Sequence, residues 1–246
     1  MKITILTQFP DMFGPVLSES ILGRAADKGL VEFKVINIRN YSVDKHRKTD
    51  DTPFGGGFGM VMTPQPAFDA LKAIGAEGKR IIYMSPRGKL LDKQLATELS
   101  REEEFFILCG HYEGVDQRII DAWNMEEVSI GDYVLTGGEL AAMVLADAAV
   151  RLIPGCLSDP EAPLQESVYS GLLEYDQYTK PREYEGLEVP EVLFNGNHRL
   201  IHLWQFENSL RLTKKRRPDL FEKFTETAEG LTKDEKKILD AVLLEY

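Results

Sequence analysis

Apolar segments with strand-like and helix-like spacing alternate through the first 155 residues of the chain. Residues 2–6 and 31–38 have the pattern of strands, whereas residues 15–26 and 66–74 have helical spacing and are followed by Gly29 and Gly75. This alternation is typical of chains in which helices cover the faces of a parallel sheet. The pattern therefore predicts an α/β domain over residues 1–155 with a mostly parallel sheet.

Three more apolar strands each lead into a loop that contains glycine. Residues 81–84 precede Ser-Pro-Arg-Gly at 85–88, residues 105–108 precede Cys-Gly-His-Tyr-Glu-Gly at 109–114, and a short apolar run precedes Ser-Ile-Gly-Asp-Tyr-Val-Leu-Thr-Gly-Gly-Glu at 129–139. Glycine at this density lets the backbone approach a ligand with its own N–H and C=O groups. Parallel neighbouring strands would bring the three loops to one sheet edge, where open α/β sheets bind ligands. We therefore expect one shared site.

The pattern changes after residue 139. Residues 140–153 are apolar almost all round and predict a buried helix that stops at Pro154 and Gly155. Residues 156–180 contain prolines and several acids with little periodicity, and they predict a partly mobile linker. Residues 181–246 predict a smaller helical domain. In that domain Asn197 is a candidate N-cap for a helix through residue 212, and the segment 232–235 is a capping box before the last helix.

The net charge of −11 argues against a nucleic-acid partner, because such binding depends largely on Lys and Arg contacts to phosphate. The charges are, however, segregated along the chain. Residues 197–217 hold six Lys or Arg against one Glu, whereas residues 156–191 hold nine acids against two bases. This segregation weakens the objection to a nucleic-acid partner.

The chain has two cysteines, Cys109 and Cys156, without Cys-x-x-Cys or histidine spacing, which supports neither a zinc site nor a disulfide framework. It has no run of roughly 18 apolar residues. The apolar N-terminal segment is too short, and too soon interrupted by Pro10 and Asp11, to be a signal peptide. We therefore expect a cytoplasmic protein without a membrane partner.

The segment Gly-Gly-Gly-Phe-Gly at 55–59 has the look of a nucleotide loop. It follows a polar stretch rather than a strand and lacks the third spaced glycine of the dinucleotide fingerprint, and the chain has no Gly-Lys-Ser/Thr element. A nicotinamide or ATP enzyme is therefore disfavoured. The segment is either a flexible surface loop or a substrate-contacting loop, and the charged residues before it, Arg39 and 45–48, favour contact with a large polar partner.

The loop at 110–114 offers backbone N–H groups, an aromatic face and a carboxylate that could pair with a cation. Such a loop suits a small ligand with an aromatic base and a positive charge. The alternative is that Tyr112 packs internally and Glu113 is solvated, the commoner fate of any one such residue. The coincidence of three glycine-bearing loops favours the ligand.

Five sequence blocks resemble the signature of the bacterial tRNA (guanine-N1)-methyltransferases. They are the blocks at 85–88, 109–116, 129–139, 151–155 and 196–198, and the match continues through residues 217–220. The resemblance implies a SPOUT-class enzyme whose α/β domain contains a deep trefoil knot, a topology that the usual rules of chain connection exclude. It also implies a homodimer with each active site at the subunit interface. The substrate it implies is tRNA, methylated at the guanosine 3′-adjacent to the anticodon, position 37.

The same resemblance implies that the three loops hold S-adenosyl-L-methionine, the methyl donor, in a bent form. The residues assigned to this ligand are Tyr83, Met84, Ser85, Pro86, Gly110, Tyr112, Glu113, Gly114, Ser129, Ile130, Gly131, Asp132, Tyr133, Val134, Leu135, Gly137 and Gly138.

Methylation at guanine N1 requires a base, because N1 carries a proton at neutral pH, and a cation that stabilises the charge growing on O6. By resemblance Arg151 is this cation, although the helix dipole alone also explains an Arg at a helix C-terminus. The family's base is an Asp, and the aligned residue here is Glu166. The extra methylene moves the carboxylate by roughly 1 Å, and such a shift can cost about a hundredfold in rate. Asp159 or Glu161 would serve instead if the linker folds differently.

The family resemblance also assigns residues to the tRNA. Asp50, Asp51, Gly56 and Gly57 would lie near the target base, and Lys214, Lys215, Arg216 and Arg217 would form a phosphate-contacting patch. Solvated charge is the alternative for both groups. Two departures from the family occur nearby: Phe58 replaces the usual Pro and should change only loop stiffness, and Gln205 replaces the usual Arg and removes a positive charge.

Two other functions fit the same blocks. One is a SPOUT methyltransferase that acts at another RNA site, such as a ribose hydroxyl, and the other is an RNA-binding or S-adenosylmethionine-binding relative that has lost catalysis through Glu166. The family is also associated with Mg²⁺ dependence. Nothing in the sequence has metal-ligand spacing, so no residue is assigned to a metal.

Overall fold

The computed structural model describes residues 1–159 and 166–245. The chain divides into two compact units, Met1–Pro160 and Glu161–Tyr246. The division falls inside the segment 156–180 that the sequence assigns to a linker. Most of that segment therefore belongs to the second unit, where Leu172 is part of the hydrophobic core.

The first unit is built on a parallel sheet of five strands, as the sequence predicts. Their order across the sheet is β2-β1-β6-β5-β7, and every neighbouring pair is parallel. A separate antiparallel pair, β3 and β4, lies between β2 and β5 in the chain. The strands are β1 Lys2–Thr7, β2 Glu32–Asn37, β3 Asp50–Asp51, β4 Val61–Met62, β5 Ile81–Leu90, β6 Glu104–Cys109 and β7 Glu126–Ser129.

Helices cover both faces of this sheet. They are α1 Gly14–Ser18, α2 Ser20–Asp27, α3 Pro64–Ala73, α4 Lys93–Ser100, α5 Gln117–Ala122 and α6 Glu139–Val150, with short 3-10 turns at Pro10–Met12 and Ile38–Tyr41. Alternate residues of β6 point to opposite faces, so that Phe105 belongs to the core under α2, α4 and α6, whereas Phe106 belongs to the core under α3 and α5. The apolar runs of the strands follow from burial on both faces.

The single helix predicted over residues 15–26 is wrong, because the chain breaks between α1 and α2. Glu19 is extended and Ser20 has a φ of 53°, a left-handed conformation that no helix continues through. The break brings Gly23 so close to Ser18 that a Cβ there would collide with the Ser18 carbonyl. Helical spacing alone did not reveal this turn.

The second unit is mainly helical, as predicted, and also contains a short hairpin that the sequence pattern did not indicate. Its strands are β8 Glu183–Tyr184 and β9 Leu187–Glu188, followed by a 3-10 turn at Glu191–Phe194 and by α7 His198–Arg216, α8 Pro218–Thr227 and α9 Lys233–Leu244. Two predicted caps are confirmed. The Asn197 side chain accepts from the Leu200 amide, and Thr232 and Glu235 form the reciprocal capping box.

Candidate functional site

A cavity of about 330 Å³ lies at the carboxyl ends of β6 and β7 and beside residues 83–87 of β5, where the pairing of β5 with β7 is interrupted between Met84 and Lys89. These three strands are neighbours in the sheet, so the loops after β6 and β7 meet the segment 85–88, as expected. The segment 85–88 is, however, an irregular part of β5 rather than a loop that follows it. The predicted ligand residues at this cavity are Tyr83, Met84, Ser85, Pro86, Gly110, Tyr112, Glu113, Gly114, Ser129, Ile130, Gly131, Tyr133, Val134, Leu135, Gly137 and Gly138. Asp132 is the predicted residue that does not line it; it is exposed on the same loop.

Close backbone packing holds two of these loops together. The Gly138 amide donates to the Gly110 carbonyl at 2.8 Å. A Cβ at Gly138 would lie 3.0 Å from both the Cys109 Cα and the Gly110 nitrogen, and a Cβ at Gly110 would lie 2.8 Å from the Tyr83 hydroxyl. Side chains are therefore excluded at both glycines, and bare peptide groups form part of the cavity wall.

Polar groups are fixed inside the loops. The Ser129 hydroxyl accepts from the Gly131 amide at 3.2 Å, and the Ser85 hydroxyl accepts from the Arg87 amide at 3.2 Å. Burial raises the pKa of the Tyr83 hydroxyl, with a smaller contribution from the charge of Glu127. Tyr83 therefore stays protonated at neutral pH and keeps its capacity to donate a hydrogen bond.

Several cavity residues were not predicted from the sequence. They are Arg87, His111, Val115, Gln117, Val128, Thr136 and Ala141. His111 and Thr136 lie within the predicted loops, so their positions in the sequence could have identified them as cavity residues. Arg87 also lies within a predicted block, 85–88, but its pairing with Glu127 and Gln117 spans 40 and 30 residues of chain and has no local signal.

A buried carboxylate, that of Glu139, lies at the end of the third loop. Glu139 is 3 % exposed, and its Oε1 accepts from the Thr7 hydroxyl at 2.8 Å. Burial, followed by the nearby Glu139 charge, raises the pKa of the Cys109 thiol well above its ordinary value. Cys109 is therefore a neutral packing residue rather than a nucleophile.

The structure places the two predicted catalytic residues in different units. Arg151 is the C-cap of α6, and its amide donates to the Asp147 carbonyl at 3.1 Å. Glu166 lies in the second unit, where its carbonyl accepts from the Ser170 amide at 3.1 Å. Of the two alternative bases, Asp159 belongs to the first unit and Glu161 lies outside the described residues.

The residues predicted to lie near the target base belong either to β3 or to the loop between β3 and β4. Asp50 pairs with Met62 and Asp51 with Val61, and Gly56 and Gly57 lie in the loop between the strands. The Thr52 amide donates to Asp51 at 2.8 Å, and this bond, followed by the charge of Lys48, lowers the pKa of the Asp51 carboxyl.

The basic cluster of the second unit is only partly available to a ligand. The Lys214 ammonium donates to the carbonyls of Val242 and Glu245, both at 2.6 Å, and so satisfies the end of α9. Arg217 pairs with Asp219 at 2.6 Å. Lys215 and Arg216 of the predicted patch are exposed.

Within residues 1–159 and 166–245, no group of three or more His, Cys, Asp or Glu side chains is placed to hold a metal ion. In the same part of the chain, no helix combines the length and the apolar character needed to cross a membrane.

The fold and the site define a class: a parallel α/β domain with a cavity between glycine-bearing segments at one edge of its sheet, joined to a helical unit. A family profile described as tRNA (Guanine-1)-methyltransferase TrmD matches residues 1–223. The chain therefore belongs to the tRNA (guanine-1)-methyltransferase family.

Curated relatives of the same name share about half of their residues with this chain. The tRNA (guanine-N(1)-)-methyltransferase of Ruminiclostridium cellulolyticum is 57% identical over 226 residues, which cover 91% of this chain and 97% of the relative. The protein of the same name from Shouchella clausii is 52% identical over 231 residues, covering 93% and 94%. That from Clostridioides difficile is 50% identical over 230 residues, covering 92% and 100%.

Proposed function

We propose that this protein transfers the methyl group of S-adenosyl-L-methionine to N1 of guanosine 37 in tRNA, the residue 3′-adjacent to the anticodon. The observation that carries the proposal is the meeting of the three family segments around one cavity at the sheet edge. The names of the relatives agree with the acceptor base.

The cavity has features that fit S-adenosylmethionine. Its walls combine bare peptide groups at Gly110 and Gly138 with the aromatic rings of Tyr83 and Tyr133. Peptide groups suit the heteroatoms of an adenine ring and a methionine, and aromatic faces attract a sulfonium cation. Glu113, which also lines the cavity, offers a carboxylate. When bound, S-adenosylmethionine supplies an electrophilic methyl group.

The chain's own residues supply the proton chemistry. In the proposal the Glu166 carboxylate accepts the N1 proton of guanine, and the Arg151 guanidinium donates hydrogen bonds to O6 as negative charge develops there. A cation is effective at O6 because the charge it stabilises is larger in the transition state than in the bound substrate.

The proposal includes a trefoil knot in the first unit and a homodimer with its active sites at the subunit interface, in the cytoplasm. The family to which the chain belongs supports the knot. Exposed apolar residues on α6, Leu140 and Val144, support a subunit contact there.

Product analysis tests the proposed activity. Incubation with S-adenosylmethionine and a tRNA that carries G37 should yield N1-methylguanosine, and the same tRNA with A37 should yield none. Methylation of the A37 tRNA elsewhere, or at a ribose, would contradict the assignment of position. Parallel assays with EDTA and with added Mg²⁺ measure whether the reaction requires the metal.

A further inference from the structure

Two phenylalanine rings project into solvent from the loop between β3 and β4. Phe54 is 102% exposed and Phe58 is 96% exposed, whereas Phe105 and Phe106 of the sheet are buried. Exposed large apolar side chains that lie close together in the sequence commonly mark an interaction surface. The two rings are therefore a candidate contact surface for a partner that covers aromatic rings.

The loop that carries the rings is attached to the wall of the cavity. The Met62 amide donates to the Gly114 carbonyl and the Glu113 amide donates to the Met60 carbonyl, both at 3.0 Å. Glu113 and Gly114 line the cavity. At the end of the loop Gly59 touches the same wall, since a Cβ there would lie 2.5 Å from a Glu113 carboxylate oxygen.

Three glycines determine the backbone path of the loop between the two rings. Gly55, Gly56 and Gly57 have φ values of 86°, 79° and 128°, in the region that other residues rarely adopt. An added Cβ at Gly55 or Gly56 would meet nothing within 4 Å, so the backbone conformation rather than packing requires glycine there. The path of the loop is therefore set by its backbone, and both of its phenylalanine rings are exposed to solvent.

Basic side chains lie at the opposite end of the same ladder. Lys45, Arg47 and Lys48 are exposed in the turn before β3, where Lys48 also pairs with Asp51 at 3.6 Å. The Thr63 amide donates to the Thr49 carbonyl and holds that turn against β4. A strand of two residues spans only about 7 Å. One strand of nucleic acid can therefore place a phosphate near the basic turn and a base on the rings.

We propose that Phe54 and Phe58 form a stacking surface for nucleobases of the RNA substrate that flank the target guanosine. The inference rests on the proposed function and assigns to Phe58 a binding role beyond loop stiffness. Aromatic stacking tolerates any base, because every base has a π-face, so the surface would hold the RNA strand without reading its sequence. The attachment of the loop to the cavity wall favours RNA over a second protein as the occupant, because the methyl acceptor must reach a donor bound in that cavity.

Binding of an anticodon stem-loop RNA, measured without the methyl donor, tests this proposal. Phe54→Ala and Phe58→Ala should each raise the Kd for RNA about tenfold, and the double variant more. Phe58→Trp should bind as tightly as the wild type, whereas Phe58→Leu, which keeps apolar bulk without a π-face, should resemble Phe58→Ala. With 2-aminopurine next to the target guanosine, binding should quench fluorescence in the wild type and less in the double variant.

Affinity for S-adenosylmethionine and the thermal midpoint should stay unchanged in all variants, because both rings are outside the cores. Unaltered RNA affinity and quenching in the double variant would overturn the stacking surface. Leucine variants that equal the wild type would also overturn it, in favour of plain apolar contact. Failure of the wild type to methylate G37 would contradict the proposed function instead, since RNA binding is measured independently of methyl transfer.

Discussion

Single glycines decide whether the loops of the cavity fit together. Gly138 follows a loop rich in flexible positions, yet its role is steric, because the Cys109 Cα and the Gly110 nitrogen each lie 3.0 Å from where a Cβ would be. Both atoms are backbone atoms of the loop after β6, so no flexible side-chain end could move away to make room. A single added methyl group at Gly138 would therefore require the backbone of the neighbouring loop to move.

We expect Gly138→Ala to destabilise the first unit by about 1–3 kcal/mol and to weaken binding of S-adenosylmethionine at least tenfold, because the new methyl forces the two loops apart. Thermal unfolding and isothermal titration measure the two effects. Gly14→Ala is the matched control, since its Cβ would meet nothing within 4 Å. Normal ligand affinity in Gly138→Ala would contradict the tight loop contact.

The base assignment is tested by changing Glu166. Glu166→Gln removes the proton acceptor and should lower kcat by about 10² to 10⁴ without changing the affinity for S-adenosylmethionine. Glu166→Asp keeps the carboxylate and should retain much more activity than Glu166→Gln. If both variants keep full activity, the base is another carboxylate, with Asp159→Asn as the next variant to assay.

Helix ends are determined locally, and the second unit shows this. In the capping box of α9 the Glu235 amide donates to the Thr232 hydroxyl at 3.3 Å, and the Thr232 amide donates to the Glu235 carboxylate at 2.7 Å. The latter bond lowers the pKa of Glu235 below its ordinary value of 4.5. Every partner lies within four residues, so no tertiary information is needed.

Thr232→Ala should destabilise the second unit by about 1 kcal/mol, because one helical amide loses its partner. Thr225→Ala, which removes an exposed hydroxyl bonded to the Glu222 carbonyl, should have a smaller effect. Urea unfolding measures both. A cost in Thr232→Ala no larger than in the control would contradict the cap's contribution.

The same box predicts a pH dependence. The pKa of Glu235 is depressed in the folded protein, so its contribution to stability is present above the unfolded pKa and is lost as the pH falls through the folded pKa. The stability difference between wild type and Glu235→Gln should therefore shrink below about pH 4, because the variant lacks the carboxylate that titrates. Urea midpoints at pH 7 and pH 3.5 test the sign.

Each of the two units has its own hydrophobic core. The first unit has apolar clusters on both faces of its sheet, and the second has a small cluster that includes Leu210, Phe221 and Val242. A unit with its own core has its own free energy of unfolding. Ligands that bind one unit should therefore stabilise that unit first.

S-adenosylmethionine at about 100 times its Kd should stabilise the first unit by about 2.7 kcal/mol. Calorimetry should show the corresponding transition move to higher temperature. Gly138→Ala, with its weakened site, should show a smaller shift at the same concentration. A shift confined to the second unit would contradict the placement of the ligand.

The core strands were largely predictable, because burial on both faces leaves a nearly continuous apolar run that can be read residue by residue. The segments that contain the cavity residues were also accessible from their glycines, although β7 has only one apolar residue. The pairing of Arg87 and the break at Glu19 were not, because one depends on a partner 40 residues away and the other on contact between Gly23 and Ser18.

Local chemistry alone therefore settled the strands of the five-stranded sheet, the helix caps at Asn197 and Thr232, and the glycine-bearing loops at 110–114 and 129–139, since these depend on neighbours within a few residues. The three-dimensional arrangement settled the strand order that unites the loops, the exclusion of a side chain at Gly138, and the use of Lys214 to satisfy the end of α9. Those features join residues far apart in the chain, and only folding determines which distant atoms become neighbours.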